Sequence, residues 1–213
     1  HRWLGAEQHG DSVTSTIEGP DGLQHEVTAR WLLACDGAGS PVRRSAGIEP
    51  IGPHHLQTFL MVHLLGDLGA VQGDRPGVLH WVCDPRAAGT FIAHDVHREW
   101  VFMAPVDADL DASALTPDDG AALVRAAMDP ACRDVPFEVA RMGTWVMTAQ
   151  VAERYREGRI LLAGDAAHRF PPTGGMGLNS GVQDVHNLAW KLAAVLRGRA
   201  DAGLVDTYEA ERR

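Results

Sequence analysis

Two short apolar runs, each ending beside a carboxylate and a glycine, constrain the fold of this chain more than any other feature. Residues 31–35 lead into Asp36-Gly37, and residues 159–163 lead into Gly164-Asp165. Continuous apolar runs of this length are typical of strands buried on both faces, as in a parallel sheet. In open α/β sheets, ligands bind outside the carboxyl ends of such strands. Each run therefore predicts a buried strand with a candidate ligand site at its end.

The residues after the first run predict a turn and the start of a helix. Glycines at 37 and 39 let a backbone approach a ligand closely. Ser40-Pro41 is typical of an N-cap followed by proline at the first helical position, and Gly47 suits the helix end. The helix start offers free N–H groups, and Arg43-Arg44 adds positive charge for a phosphate. A plain strand–turn–helix junction with a turn aspartate explains the same residues equally well.

The second run ends at Gly164-Asp165, and a loop rich in proline and glycine follows over 168–177, before a helix predicted over 179–197. Asp165 at the strand end is placed to hydrogen-bond a ribose hydroxyl, and the alternative is that it caps a tight loop. The positive end of the helix can face developing negative charge. The helix has apolar residues at a 3, 4, 3, 4 spacing, which predicts one buried face. That face would comprise Val182, Val185, Ala189, Leu192 and Leu196.

The residues before the first run and those between the two runs have a different pattern. Alternating residues on either side of Pro20-Asp21-Gly22 predict a hairpin over 12–30. Strand-like stretches at 56–65, 78–83, 90–93 and 100–104 predict an antiparallel sheet, with a further strand over 137–149. Thr116, with Asp119 three residues later, predicts a capped helix that runs to Met128.

Composition excludes several classes of function. The net charge is −9, without a Lys/Arg-rich run, so nucleic acid and anionic membrane are poor partners. There is no apolar stretch of about 18 residues and no signal peptide, and the three cysteines are odd in number and far apart. We therefore expect a cytoplasmic protein with reduced thiols. The histidines lack metal-ligand spacing, so we expect no metal site. Trp81, Trp100 and Trp145 either line an aromatic pocket or pack in a core.

The joint pattern resembles class A FAD-dependent aromatic hydroxylases, the flavoprotein monooxygenases of the p-hydroxybenzoate hydroxylase type. Residues 164–168, 171–172 and 175–179 match the family's Gly-Asp-Ala-Ala-His, Pro-Pro and Gly-x-Gly-x-Asn pattern. Asp36-Gly37 matches the family's Asp-Gly motif, which serves both FAD and NAD(P)H. The segments 187–192 and 206–212 are similar to the family's continuation, so the resemblance covers nearly the whole chain.

The resemblance implies an α/β (α+β) fold in which a partial Rossmann-like FAD-binding domain is interleaved with an antiparallel-sheet substrate domain. Residues 1–50 and 150–213 would belong to the FAD-binding domain, and 51–149 to the substrate domain. NADH or NADPH would reduce FAD, and O₂ would add to give a flavin C4a-hydroperoxide. One oxygen atom would then pass to a phenolic or polyketide-like aromatic. The flavin carries the difficult chemistry, and the protein supplies position and excludes water.

The resemblance also implies residue roles. Asp36, Gly37 and Arg43 would support the pyrophosphate side and the nicotinamide cofactor. Gly164 and Asp165 would hold the ribityl or ribose portion of FAD. Pro171 and His168 would lie by the flavin ring as candidate catalytic residues, although a loop-orienting hydrogen bond explains His168 better than acid–base catalysis. The glycine-rich loop and helix start would present backbone N–H groups to the flavin N1/C2 carbonyl. These groups belong to Gly177, Leu178 and Asn179, and Gly175 in the preceding loop would also be a cofactor-binding residue.

The family's N-terminal strand–Gly-x-Gly-x-x-Gly–helix is not found in these residues. The chain begins with His1 and ends directly after a helical pattern, so we expect a fragment that holds FAD weakly by itself. Two alternatives stay open. One is another flavoenzyme of the same fold, such as an epoxidase, a reductase or a halogenase; no Trp-x-Trp-x-Ile-Pro motif supports the last. The other is an inactive fragment that acts only as a binding module. The sequence specifies neither the aromatic substrate nor the oligomeric state.

Overall fold

The computed structural model describes residues 1–74, 76–172 and 174–213, so Thr173 of the glycine-rich loop lies outside the described residues. The α-helices in this part of the chain are α1 (Pro41–Ser45), α2 (Gly69–Gln72), α3 (Pro117–Ala127), α4 (Gly177–Leu196) and α5 (Thr207–Arg212). The strands are β1 (Arg2–His9), β2 (Ser12–Glu18), β3 (Gln24–Ala29), β4 (Leu32–Ala34), β5 (Pro50–Ile51), β6 (Gln57–Leu65), β7 (Leu79–Val82), β8 (Gly89–Asp95), β9 (Glu99–Val106), β10 (Glu138–Met147), β11 (Gln150–Ala152), β12 (Arg156–Glu157), β13 (Ile160–Leu162) and β14 (His168–Arg169).

The chain divides into two compact units. Unit 1 comprises His1–His54 and Thr148–Arg213, and unit 2 comprises His55–Met147. Unit 1 is therefore built from two separate stretches of sequence, and unit 2 is the stretch between them. No helix in the described ranges is long and apolar enough to cross a membrane. The mixed α/β (α+β) fold class is as predicted.

Unit 2 is an antiparallel sheet of five strands in the order β10-β6-β9-β8-β7. Alternate residues of β6 are buried, among them Leu60, Val62 and Leu64, and these belong to the same core as Val124 of α3. The helix begins as predicted: the Thr116 hydroxyl accepts a bond from the Asp119 N–H, and the Asp119 carboxylate accepts one from the Thr116 N–H. The alternation therefore gives the sheet one packed face and one open face.

The tryptophans of the sheet divide between its two faces. Trp100 is fully buried in the core beside Phe91 and Phe102. Trp81 and Trp145 are partly exposed, and the strand register places both on the opposite face. Core packing therefore explains Trp100, whereas the other two remain available to a ligand.

Unit 1 contains three small sheets, in the orders β1-β2-β3, β14-β11-β5 and β12-β13-β4. The hairpin predicted over 12–30 is β2 with β3, and β1 extends it. The two apolar runs pair in parallel, with Ile160 opposite Leu32 and Leu162 opposite Ala34. β13 is buried throughout, as predicted. For β4 the prediction of burial on both faces is wrong: Leu33 is 37% exposed, because β4 lies at the edge of its sheet.

The buried face of α4 also differs from the prediction. Leu192 is buried as expected, but Val182 is 59% and Val185 43% exposed, and Ala189 and Leu196 are exposed too. The residues that face the core are Asp184, Leu188, Lys191, Leu192 and Val195. Two of these, Asp184 and Lys191, are charged, and they are tolerated in the interior because their charged atoms contact polar or oppositely charged groups. Lys191 Nζ, for example, contacts Thr207 Oγ1 at 2.6 Å and Glu211 Oε1 at 2.9 Å. Apolar spacing alone therefore selected the wrong side of the helix.

Candidate functional site

The turn after β4 is held by its own side chains. The Asp36 carboxylate accepts a hydrogen bond from the Val42 N–H at 3.1 Å, and Ser40 Oγ accepts one from the Arg43 N–H at 2.9 Å. Gly37 has φ +83°, and a Cβ at this position would meet open space. Asp36 therefore caps the first turn of α1, while Gly37 leaves the backbone accessible at the strand end.

Arg43 connects the two predicted motifs. Its side chain is only 5% exposed, and it donates from Nη1 to the Ala166 carbonyl (3.0 Å) and from Nη2 to the Ala38 carbonyl (3.1 Å). Burial lowers the pKa of Arg43, and the positive charges of Arg169 and Arg44 add to that effect. Because both Nη groups are bonded to carbonyls, Arg43 fixes the turn after β4 against the turn after β13.

The second strand end is a 3₁₀ turn over Gly164–Ala166, followed by β14. Gly164 has φ +59°, which favours glycine, and the turn closes with a bond from the Ala167 N–H to the Gly164 carbonyl at 2.8 Å. Asp165 is exposed, and its carboxylate has no hydrogen bond within the described residues. The alternative that Asp165 caps the loop therefore finds no support in these contacts, and the carboxylate is free for a ligand.

A cavity of about 610 Å³ lies where the two strand ends meet α4. Five of the predicted site residues line it, together with Cys35 and apolar residues of α4. The predicted residues in its wall are Gly37, Gly164, Asp165, Gly177 and Leu178. Burial raises the pKa of the Cys35 thiol, and the charges of Asp36 and Asp184 raise it further. The wall therefore combines a thiol of raised pKa, a carboxylate that is unpaired within the described residues, and glycine backbone.

The start of α4 supplies backbone donors. No side chain of the described residues caps this end, and Gly177, Leu178 and Asn179 are all exposed. The helix-type bonds begin with the Ser180 N–H donating to the Met176 carbonyl at 2.9 Å. The first turn of a helix has N–H groups without intrahelical partners and carries partial positive charge. This end of α4 therefore suits an anionic or electron-rich ligand group.

The remaining predicted residues are not among those that line the 610 Å³ cavity. Gly175, with φ +64°, and Pro171 lie in the loop before α4. His168 lines a second cavity of about 570 Å³. The His168 ring is nearly parallel to the rings of Tyr155 and Phe170, with centroids 5.9 Å and 5.6 Å away. These two aromatic contacts restrict the orientation of the imidazole.

One buried residue of the site was missed by the sequence analysis. Asp184 in α4 is 0% exposed and accepts hydrogen bonds from the Gly164 N–H (2.9 Å), His168 Nε2 (2.6 Å) and Arg212 Nε (2.8 Å). Burial by itself would raise the pKa of Asp184, but the hydrogen bonds from His168, Arg212 and Gly164 bring it below its ordinary value. The available signal was a carboxylate between apolar positions of a helix predicted to be amphipathic.

Comparison with known proteins specifies the family to which this fold belongs. The profile described as "FAD binding domain" matches residues 1–213, so the chain belongs to this family of flavin-binding hydroxylases and monooxygenases.

Named relatives are similar along almost the whole chain. A putative polyketide hydroxylase of Streptomyces coelicolor is 39% identical over 99% of this chain and 34% of that protein. Aklavinone 12-hydroxylase of Streptomyces purpurascens is 40% identical over 100% of this chain and 40% of that protein. The crystal structure of aklavinone-11 hydroxylase with FAD and aklavinone superposes with a TM-score of 0.89 at 39% identity, covering 98% of this chain and 39% of that one. The chain thus spans well under half the length of these relatives.

Proposed function

We propose that unit 1 forms part of an FAD site, and that the chain belongs to an NAD(P)H-consuming monooxygenase that hydroxylates a phenolic or polyketide-like aromatic. The observation that carries the proposal is the 610 Å³ cavity, in which both strand ends and the start of α4 come together. The family profile, and the structure of aklavinone-11 hydroxylase with FAD, support FAD as the cofactor.

The residues of the cavity fit a flavin nucleotide. A Cβ built at Gly37 or Gly177 would meet nothing within 4 Å, so a ligand can approach the backbone at both positions. The free Asp165 carboxylate would accept a hydrogen bond from a ribityl or ribose hydroxyl. The N–H groups at the start of α4 would stabilise negative charge on the flavin ring, as the donors of an oxyanion hole do. The exposed helix face carrying Val182 and Val185 would exclude water from the same ligand.

Reduced FAD, when bound, supplies the activation of O₂ that such a hydroxylation requires. The chain's own residues would bind the cofactor, orient it and shield it from water. Arg43 would keep the two strand ends in register while Asp36 and Gly37 shape the turn on the pyrophosphate side. Pro171 would contact the flavin ring, and the stacked, hydrogen-bonded His168 would fix the loop that carries Pro171.

Unit 2 would bind the aromatic substrate. Its open sheet face carries Phe59, Met61, Met103 and Trp145, and the Phe59 and Trp145 ring centroids are 5.9 Å apart. These side chains are only partly buried, so their apolar surface remains available to a flat ligand. Aromatic and thioether groups suit contact with extended ring systems. We therefore assign residues 51–149 to substrate binding, and 1–50 and 150–213 to FAD binding.

The first test is titration of the purified chain with FAD, followed by flavin fluorescence and by the absorbance retained after desalting. We expect the wild-type chain to bind FAD and Asp165→Ala to weaken binding about tenfold, since one hydrogen bond to a charged group is lost. Asp11→Ala removes an exposed carboxylate from the β1–β2 turn and should bind as the wild type does. Equal affinity for the Asp165→Ala and wild-type chains would remove Asp165 from the site.

A second test addresses catalysis. The enzyme with bound FAD should oxidise NADH or NADPH faster in the presence of phenols and polycyclic aromatics, with one oxygen atom from ¹⁸O₂ recovered in the product. A chain that binds the aromatic compounds but neither retains FAD nor consumes NAD(P)H would support a binding module instead.

A further inference from the structure

Asp184 is the most completely buried carboxylate of the cavity region, and its three donors come from three different elements. Gly164 belongs to the turn after β13, His168 to β14 and Arg212 to α5. Gly164 and His168 share Oδ2, whereas Arg212 bonds to Oδ1. Burying an ionised carboxylate is costly unless its oxygens are hydrogen-bonded, so the interior position is tolerated because all three donors are present.

The same contacts join the cavity-lining turn to the cavity-lining helix. Gly164 and Asp165 of the turn and Gly181 of α4 all line the cavity. At this point the two backbones are close: a Cβ added to Gly181 would be 3.5 Å from the Gly164 Cα. Arg212 also returns to α4 through a bond from Nη2 to the Ser180 carbonyl at 3.3 Å. Asp184 is therefore the side chain that connects the turn with α4.

We propose that Asp184 is a positioning residue for the flavin cavity: it fixes the Gly164 amide to α4 and thereby holds Asp165 facing the first turn of that helix. The inference rests on the proposed function. Asp184 is not among the residues that line the cavity, so it acts through its neighbours. Asp165 has no hydrogen bond of its own in the described residues, so its direction depends on how the adjacent turn is held.

The test uses Asp184→Asn, which keeps the size of the side chain. An amide has a single acceptor oxygen, so it cannot serve both Arg212 on one side and Gly164 with His168 on the other. We expect the FAD dissociation constant to rise at least about tenfold, measured at a temperature where both proteins are fully folded. We also expect faster hydrogen exchange at the Gly164 amide, while the Leu162 amide, bonded to the Tyr155 carbonyl at 2.9 Å, stays protected.

Glu211→Gln is the matched control. Glu211 is also a carboxylate that ties α5 to α4, through Lys191 and Asn187, but it does not contact Gly164. This variant should change thermal stability without changing FAD affinity or Gly164 exchange. If Asp184→Asn lowers the unfolding midpoint but leaves FAD affinity and Gly164 exchange at wild-type values, Asp184 is a stability residue only and the proposal is overturned.

If Asp184→Asn does not fold, His168→Phe provides a second test of the proposal. Phenylalanine keeps a ring beside Tyr155 and Phe170 but removes one donor to Asp184. We expect a roughly threefold to tenfold weaker FAD affinity and faster Gly164 exchange, and wild-type values for both would overturn the proposal. If the wild-type chain binds no FAD, the proposed function fails first. Gly164 exchange would then still report whether Asp184 positions the turn.

Discussion

Replacing Gly181 by alanine should raise stability and weaken FAD binding at the same time. Gly181 lies inside α4 and does not have a positive φ, so alanine fits the helix backbone. The added methyl would be 3.5 Å from the Gly164 Cα, which is an ordinary van der Waals contact. A glycine inside a helix costs about 0.5–1 kcal/mol relative to alanine. For a chain of this size that corresponds to a rise of roughly 1–4 °C in the unfolding midpoint.

The same methyl group narrows the cavity where α4 meets the end of β13. Overpacking a fitted site typically costs about 1–3 kcal/mol, and 1.4 kcal/mol is a factor of ten in affinity. We therefore expect FAD to bind about tenfold more weakly to Gly181→Ala. Gln183→Ala is the control, since Gln183 is exposed on α4 and is not among the cavity-lining residues. Its FAD affinity should stay at the wild-type value.

Thermal unfolding and flavin fluorescence titration read out the two effects separately. A lower midpoint for Gly181→Ala would mean that the Gly164–Gly181 contact has no room for a methyl group. An unchanged FAD affinity, together with a raised midpoint, would refute the location of the flavin against this wall.

Three further outcomes can be checked on the same protein. Burial raises the pKa of Tyr155 to about 12 and also raises that of Tyr208, with the charge of Asp184 adding to both; these are the only tyrosines. Absorbance at 295 nm should therefore show no phenolate near pH 10 in the folded chain. Because both pKa values are higher in the folded than in the unfolded chain, the free energy of unfolding should fall as the pH rises above 10. Leu188→Ala should lower the free energy of unfolding in urea by about 2–5 kcal/mol, whereas Val185→Ala, at an exposed position, should lower it by less than about 0.5 kcal/mol. Equal losses would contradict the observed buried face of α4. Thr116→Ala should cost about 1 kcal/mol through loss of the α3 cap, as measured by the same unfolding curves.

Sequence reasoning located the strand ends well because their signals are local. An apolar run that stops at Asp36-Gly37 or Gly164-Asp165 marks the end of a strand whatever the rest of the chain does, and the structure places strands at both positions. The Thr116 capping box is equally local, since all its groups lie within one helical turn.

The buried side of α4 could not be predicted in this way. It depends on partners far away in sequence: Asp184 is accepted in the interior because Gly164, His168 and Arg212 surround it. Periodicity counts apolar residues and has no access to such partners, so it favoured Val182 and Val185. The same limit explains why Asp184 was missed and why Arg43, whose bonds reach the Ala166 carbonyl, could be predicted only as a source of positive charge.

The parallel pairing of β4 with β13 has a consequence for synthesis on the ribosome. Residues 55–147, which form unit 2 with its own core, are synthesised after β4 and before β13. β4 therefore has no pairing partner until β13 has been synthesised. At about 5–20 residues per second, the delay is on the order of ten seconds, long compared with the folding time of a small domain. The sheet of unit 2 can therefore form cotranslationally, whereas the cavity at the ends of β4 and β13 assembles late, only after the chain has returned to complete it.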